Sequence, residues 1–132
     1  GLIITDYKTG RPPNATAVQQ LRAPQLPLEA AIALGDSGFP GIAGRNVSKL
    51  RYIRASGGEP AGEETNIKID DVEVLAAAAR AGLTMLVAAF DDPATPYRAV
   101  RRTGFRYDFD AYADLARVGE WSAAHTDDEG SA

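Results

Sequence analysis

The 132-residue chain contains no cysteine and only one histidine, His125. Without thiols there is no disulfide, zinc–thiolate site, iron–sulfur cluster or cysteine nucleophile within it. One histidine in an acidic tail does not build a Ser-His-Asp triad or an imidazole metal cage. Any metal site therefore draws on carboxylates and carbonyls, a donor set for hard ions such as magnesium or manganese. Basic excess is also missing, since 14 Lys and Arg face 18 Asp and Glu for a net charge of −4. Asp127, Asp128 and Glu129 supply most of that deficit, leaving a nearly neutral body. That is not a polybasic DNA-coating protein, although a local basic groove stays open. No apolar run approaches the roughly 20 residues that cross a bilayer. Gly1 to Asp6 has neither the basic start nor the long apolar core of a secretory signal. What remains is 45% hydrophobic and 24% charged, enough for one globular domain or a large part of one.

The chain opens in a short β-branched apolar strand, Leu2-Ile3-Ile4-Thr5, and leaves it through Gly10 and the pair Pro12-Pro13. Glycine followed by two prolines stops a strand and starts a loop. A chain that begins inside a core strand reads as the later part of a longer protein. Asn14 is placed to cap a short helix running to about Leu21 or Arg22. Residues 23–34 read as a second helix stopped at Gly35, with Pro27 limiting how early it begins. Residues 36–46 form a glycine-rich connector without the Gly-Lys-Ser/Thr of a phosphate loop, and read as a flexible surface segment. Val47–Ala55 reads as a strand, with Leu50, Tyr52 and Arg54 on one face and Lys49, Arg51 and Ile53 on the other. Residues 56–66 are polar and read as a loop.

The clearest pattern follows. Asp70 with Glu73 has capping-box spacing, flanked by Ile69 and Val74 as a hydrophobic staple. Val72, Leu75, Ala76, Ala79, Leu83, Leu86, Val87 and Phe90 keep helical spacing up to Asp91-Asp92-Pro93. This predicts a scaffold helix of roughly 20 residues. A further short helix is expected over residues 110–118, and residues 125–132 are expected to form a disordered acidic tail.

The constellation with chemical content is Asp6-Tyr7-Lys8 at the end of the first strand. Residues two apart on a strand point the same way, so Asp6 and Lys8 project together about 6–7 Å apart along the chain, while Tyr7 packs on the other face. A carboxylate binds a divalent cation, and a neighbouring ammonium orients water or offsets charge building on a phosphate. Those are the requirements of phosphodiester hydrolysis.

The stretch Leu2 to Gly10 resembles the (D/E)-x-K strand of the PD-(D/E)XK nucleases, in their RecB-like branch. Residues 23–31, APQLPLEAA, resemble the glutamine motif that follows it. The order DYKTGRPP, APQLPLEAAI, LRYIRASGGEP, an alanine-rich helix and AAFDDPATPY is similar to the C-terminal nuclease domains of AddB subunits. Those subunits belong to AddAB helicase–nucleases, which process double-strand DNA breaks for recombination. The resemblance covers most of residues 1–124 and implies an α/β, restriction-endonuclease-like mixed sheet flanked by helices, truncated at its N-terminus. It implies that Asp6 binds magnesium (or manganese), that Lys8 positions or activates the attacking water, and that Gln25 helps hold DNA or the lysine region. It further implies DNA as substrate, an AddA-like helicase–nuclease subunit as partner, no membrane association and a cytoplasmic location. Glu29 stands where the family often has tyrosine, and the family's first acidic ligands precede this strand. The 132-residue chain is therefore expected to cut DNA weakly or not at all, although its parent is a deoxyribonuclease. A non-catalytic DNA-binding or subunit-docking module remains the alternative.

Residues 97–107 hold Arg98, Arg101, Arg102 and Arg106 interleaved with Tyr97, Phe105 and Tyr107 and no acidic residue. Such a segment is able to track phosphates and stack on bases. Pairing of these arginines with Asp108, Asp110 and Asp114 is the alternative. An exposed sheet edge is a further expectation, and with it pairing of two copies.

Overall fold

The computed structural model describes residues 1–36 and 38–97. Chain contacts divide the molecule into Gly1–Asp92 and Pro93–Ala132. The first unit runs β1 (Leu2–Lys8), α1 (Ala15–Gln19), α2 (Gln25–Leu34), β2 (Val47–Ala55), β3 (Gly62–Ile67) and α3 (Val72–Asp91). It is a mixed α/β arrangement built on one three-stranded sheet in the order β1-β2-β3. β1 and β2 are parallel and joined through α1 and α2; β2 and β3 are antiparallel neighbours. Parallel strands need such a crossover, which places helices on the sheet.

The pairing carries one irregularity that matters for the face. Leu2 pairs with Val47 but Ile3 pairs with Lys49, so Ser48 is an extra residue in β2. Its hydroxyl donates to the Leu2 carbonyl at 3.0 Å. The bulge lets Val47 and Leu50, three apart, both face inward, where each is buried. Beyond it the register puts Ile4, Asp6 and Lys8 on the same face as Leu50, Tyr52 and Arg54. Leu26, Ala30 and Ala33 of α2, Val18 of α1 and Ala76 of α3 join Leu50, Tyr52 and Ile67 in the core.

Local chemistry explains the helix ends. Asn14 accepts from the Ala17 N–H at 2.8 Å, the cap expected of it. α1 closes with Arg22 N–H on the Ala17 carbonyl and Leu21 N–H on the Val18 carbonyl, a Schellman pattern. Leu21 takes its left-handed position at φ 54, where glycine is usual. α2 begins at Gln25, so Pro27 falls in the first turn, where an N–H has no helical partner to lose. The glycine-rich connector is more ordered than a free loop: Gly44 N–H reaches back to the Ala33 carbonyl, and Phe39 accepts from Ile42 and Ala43. Gly38 lies so near the Ile32 carbonyl that a Cβ would overlap it.

Several expectations are corrected. Residues 62–66, expected in a loop, belong to the strand Gly62–Ile67. β3 is a polar edge strand that buries only Ile67, so it shows no apolar alternation. The cap of α3 is Asp71 rather than Asp70: its carboxylate accepts from the N–H groups of Glu73 and Val74. Glu73 turns to Asn46 at 3.5 Å instead of closing a capping box, and Val74 is exposed. Tyr7 does not pack, being 68% exposed on the face of the sheet left uncovered by the described elements. The apolar stripe of α3 is buried only at Ala76 and Ala79, while Leu83, Leu86, Val87 and Phe90 are exposed. By length and composition this helix is also able to cross a membrane, contrary to the expectation from apolar runs. In the fold it packs chiefly on α2 and less on β2. The expected helix at residues 110–118, the tail at 125–132 and the four arginines Arg98, Arg101, Arg102 and Arg106 lie outside the described residues.

Candidate active site

The end of β1 places Asp6 and Lys8 on the helix-covered face, as alternation requires. Lys8 Nζ lies 2.7 Å from Asp6 Oδ2. The same ammonium donates to Gln25 Oε1 at 2.9 Å. Gln25 is the first residue of α2, and the crossover from β1 brings that helix back over the strand end. The three predicted site residues therefore meet in space, with Lys8 and Gln25 bonded across 17 positions of sequence.

Three groups outside the predicted set complete the cluster. Gln25 Nε2 donates to Glu29 Oε1 at 3.1 Å, one helical turn along α2. Tyr52 is Asp6's partner on β2 and is 1% exposed. Its ring centroid is 6.0 Å from Lys8 Nζ, at the outer limit of a cation–π contact. Burial first, then the negative charges of Asp6 and Glu29, push the Tyr52 phenol from 10.0 up to about 12. Asp6 and Glu29 thus both act on one buried ring. Arg54 is the β2 partner of Lys8, and its Nε is sealed from solvent with no hydrogen-bond acceptor among the described residues.

The cluster is polar but not closed. Asp6 Oδ2 is also sealed from solvent, and its contact with Lys8 is ionic, without the geometry of a hydrogen bond. An ammonium has three N–H donors, and Asp6 and Gln25 engage two directions of this one. With Lys8 33% and Asp6 14% exposed at the side chain, the site lies at the surface yet half sheltered. As a hard oxygen donor, the Asp6 carboxylate fits one position of a magnesium or manganese ligand set. Among the described residues no three His, Asp or Glu side chains gather to hold a metal ion. Asp6 alone is thus an incomplete set.

Spacing in the sequence held signals for the additional groups. Gln25 and Glu29 are i and i+4 on a helix, and Tyr52 and Arg54 have the parity of Asp6 and Lys8. What was needed to join them was the register of the parallel pair, which sequence spacing does not supply. No family model, curated protein or solved structure matches the chain.

Proposed function

We propose that this chain carries part of a restriction-endonuclease-like, metal-dependent deoxyribonuclease domain of the RecB-like kind. The observation that carries the reading is the convergence of Asp6, Lys8 and Gln25 at one strand end, with a lysine donor still available. Asp6 supplies an oxygen ligand to magnesium or manganese. That ion, when bound, polarises a phosphate oxygen and acidifies a water. Lys8 lies close enough to Asp6 to donate to a phosphate oxygen or to orient the attacking water beside it. Gln25 holds the lysine in place. On this reading the substrate is DNA and the setting is double-strand break repair in the cytoplasm. The partner is an AddA-like helicase–nuclease subunit, and further carboxylates complete the metal set.

Supercoiled plasmid nicking by the 132-residue chain tests it. Slow cleavage that requires magnesium and disappears in both Lys8→Ala and Asp6→Asn is expected. Cleavage unaffected by either substitution, or no binding of DNA at all, refutes the reading.

A docking module is favoured by one separate observation. The exposed apolar run Leu83, Leu86, Val87 and Phe90 on α3 has the character of a protein-binding face. DNA binding without cleavage, unaltered by Asp6→Asn, would select that alternative. So would pairing of two copies through the outer edge of β1, which among the described residues bonds only to β2.

A further inference from the structure

Lys8 carries only donors, so the atom of Gln25 that faces it has to be the carbonyl oxygen. The amide is planar, and fixing Oε1 on Lys8 turns Nε2 to the opposite side. An NH2 group there needs an acceptor, and an ionised carboxylate is acceptor-only. Glu29 Oε1 stands at that place, 3.1 Å from Nε2. Glu29 is half-buried on α2, one turn from Gln25, so helix geometry sets the reach between them. The polarity therefore runs in one direction: carboxylate of Glu29, amide of Gln25, ammonium of Lys8, carboxylate of Asp6. With a donor in place of the Glu29 oxygen, the amide gains by flipping. It would then present its own N–H groups to the ammonium, donor against donor.

We propose that Glu29 is a positioning residue for Lys8, acting through the orientation of the Gln25 amide. It touches neither the phosphate nor the lysine. Its work is to keep an acceptor pointed at the ammonium, so that Lys8 stays beside Asp6 with its remaining donor directed outward. The inference rests on the reading of Lys8 as the working cation. It also gives a role to the residue that stands where the resembling family often has tyrosine.

Two substitutions separate hydrogen bonding from bare charge. Glu29→Asp keeps the charge but withdraws the carboxylate by one methylene. Glu29→Gln loses the charge but keeps an acceptor oxygen at the same reach. The readout is solvent exchange of the Lys8 ammonium protons in nitrogen-15 NMR of the full chain. The chain has three lysines, and the Lys8 signal is assigned by its loss in Lys8→Arg. Backbone amide spectra identify variants that keep the fold. Glu29→Asp is expected to speed Lys8 exchange about threefold or more, as loss of one hydrogen bond does, approaching the rate in Gln25→Ala. Glu29→Gln is expected to stay near the parent rate. The reverse pattern, fast exchange in Glu29→Gln and none in Glu29→Asp, makes the effect one of charge and overturns the proposal. So does equal exchange in all three proteins. Because exchange is read without DNA, the two readings fail separately. The expected pattern in a chain that neither binds nor cuts DNA sinks the nuclease reading alone, and cleavage with flat exchange sinks the positioning role alone.

Discussion

Among the described residues each face of the sheet carries one carboxylate–cation pair, and the two are built differently. On the uncovered face Arg51 lies 3.0 Å from Glu64 and donates through Nε to Thr5 Oγ1 at 2.9 Å. Glu64 also accepts from Asn66 at 3.0 Å. Its carboxyl is held below the usual range chiefly by that Asn66 bond, with Arg51 adding to it. Guanidinium and carboxylate there are both tied to further partners across the three strands. On the covered face Asp6 and Lys8 are closer, at 2.7 Å, and the carboxylate is more sheltered, 14% exposed against 43% for Glu64, yet among the described residues Asp6 Oδ2 and Arg54 Nε have no hydrogen-bond partner. Buried polar atoms are ordinarily satisfied. A closed pair fastens strands together, whereas an open pair in a sheltered place is suited to take something else in.

The largest difference is expected in chemistry. Lys8→Ala lowers magnesium-dependent nicking by about a hundredfold or more, the scale of losing a group that assists proton transfer or stabilises charge. Arg51→Ala, across the sheet, leaves the rate at the parent level. Equal losses from the two substitutions would erase the distinction between the faces.

Stability gives the next contrast. Lys8→Met strands the sealed Asp6 carboxylate and is expected to cost about 1–3 kcal/mol in urea unfolding. Adding Asp6→Leu to the same protein removes the stranded charge and returns stability to the parent level or above it, because an apolar pair of similar size often replaces an ion pair without loss. A double variant as unstable as Lys8→Met alone would mean that the pair holds the fold rather than serving a site.

Those contrasts were partly visible in the residues alone. The Asp6–Lys8 juxtaposition follows from the two-residue period of a strand, and the closeness of Gln25 was expected from family resemblance. The strands β1 and β2 were legible because each holds a run of apolar or β-branched residues. β3 was not, since Gly62-Glu63-Glu64-Thr65-Asn66 bury almost nothing and are held by pairing with β2, a long-range effect. For the same reason the Arg51–Glu64 pair was out of reach: without β3 there is no Glu64 beside Arg51. The α3 cap moved by one residue because adjacent aspartates offer the same side chain, and only the backbone turn at Asp71, φ −144 and ψ 110, chooses between them. The half-exposed apolar stripe of α3 shows the limit of periodicity, which tells which residues share a face but not whether anything covers it.

Alkali and acid are expected to loosen opposite faces. The Tyr52 phenol, raised from 10.0 to about 12, favours the neutral ring in the fold. Its stabilisation is complete below pH 10.0 and is lost as pH rises through about 12. Glu64 has the opposite sign, since its lowered folded value stabilises above the ordinary carboxylate range and is lost as pH falls through that value. In urea midpoints measured against pH, Tyr52→Phe flattens the alkaline limb and leaves the acid limb. Asn66→Ala, which removes the largest cause of the Glu64 shift, does the reverse. Both limbs changing together in either variant would deny that the faces titrate separately.

The smallest expected effect concerns the closed pair itself. Arg51→Lys keeps the charge on the uncovered face but replaces a rigid fork by a single ammonium on a flexible stem. The guanidinium serves Thr5 through Nε and Glu64 through Nη1, two acceptors on different strands. One ammonium cannot hold both with the same geometry, and the Thr5 bond, nearer the backbone of Arg51, is the one given up. The loss is about 0.5–1 kcal/mol, a single neutral-acceptor hydrogen bond at a part-buried position. Thr5→Val in the Arg51→Lys protein then adds little, while Thr5→Val in the parent costs nearly as much as the pair of substitutions. Additive losses would show that Arg51 and Thr5 act independently. The uncovered face would then be an ordinary solvated surface rather than a clamp across β1, β2 and β3.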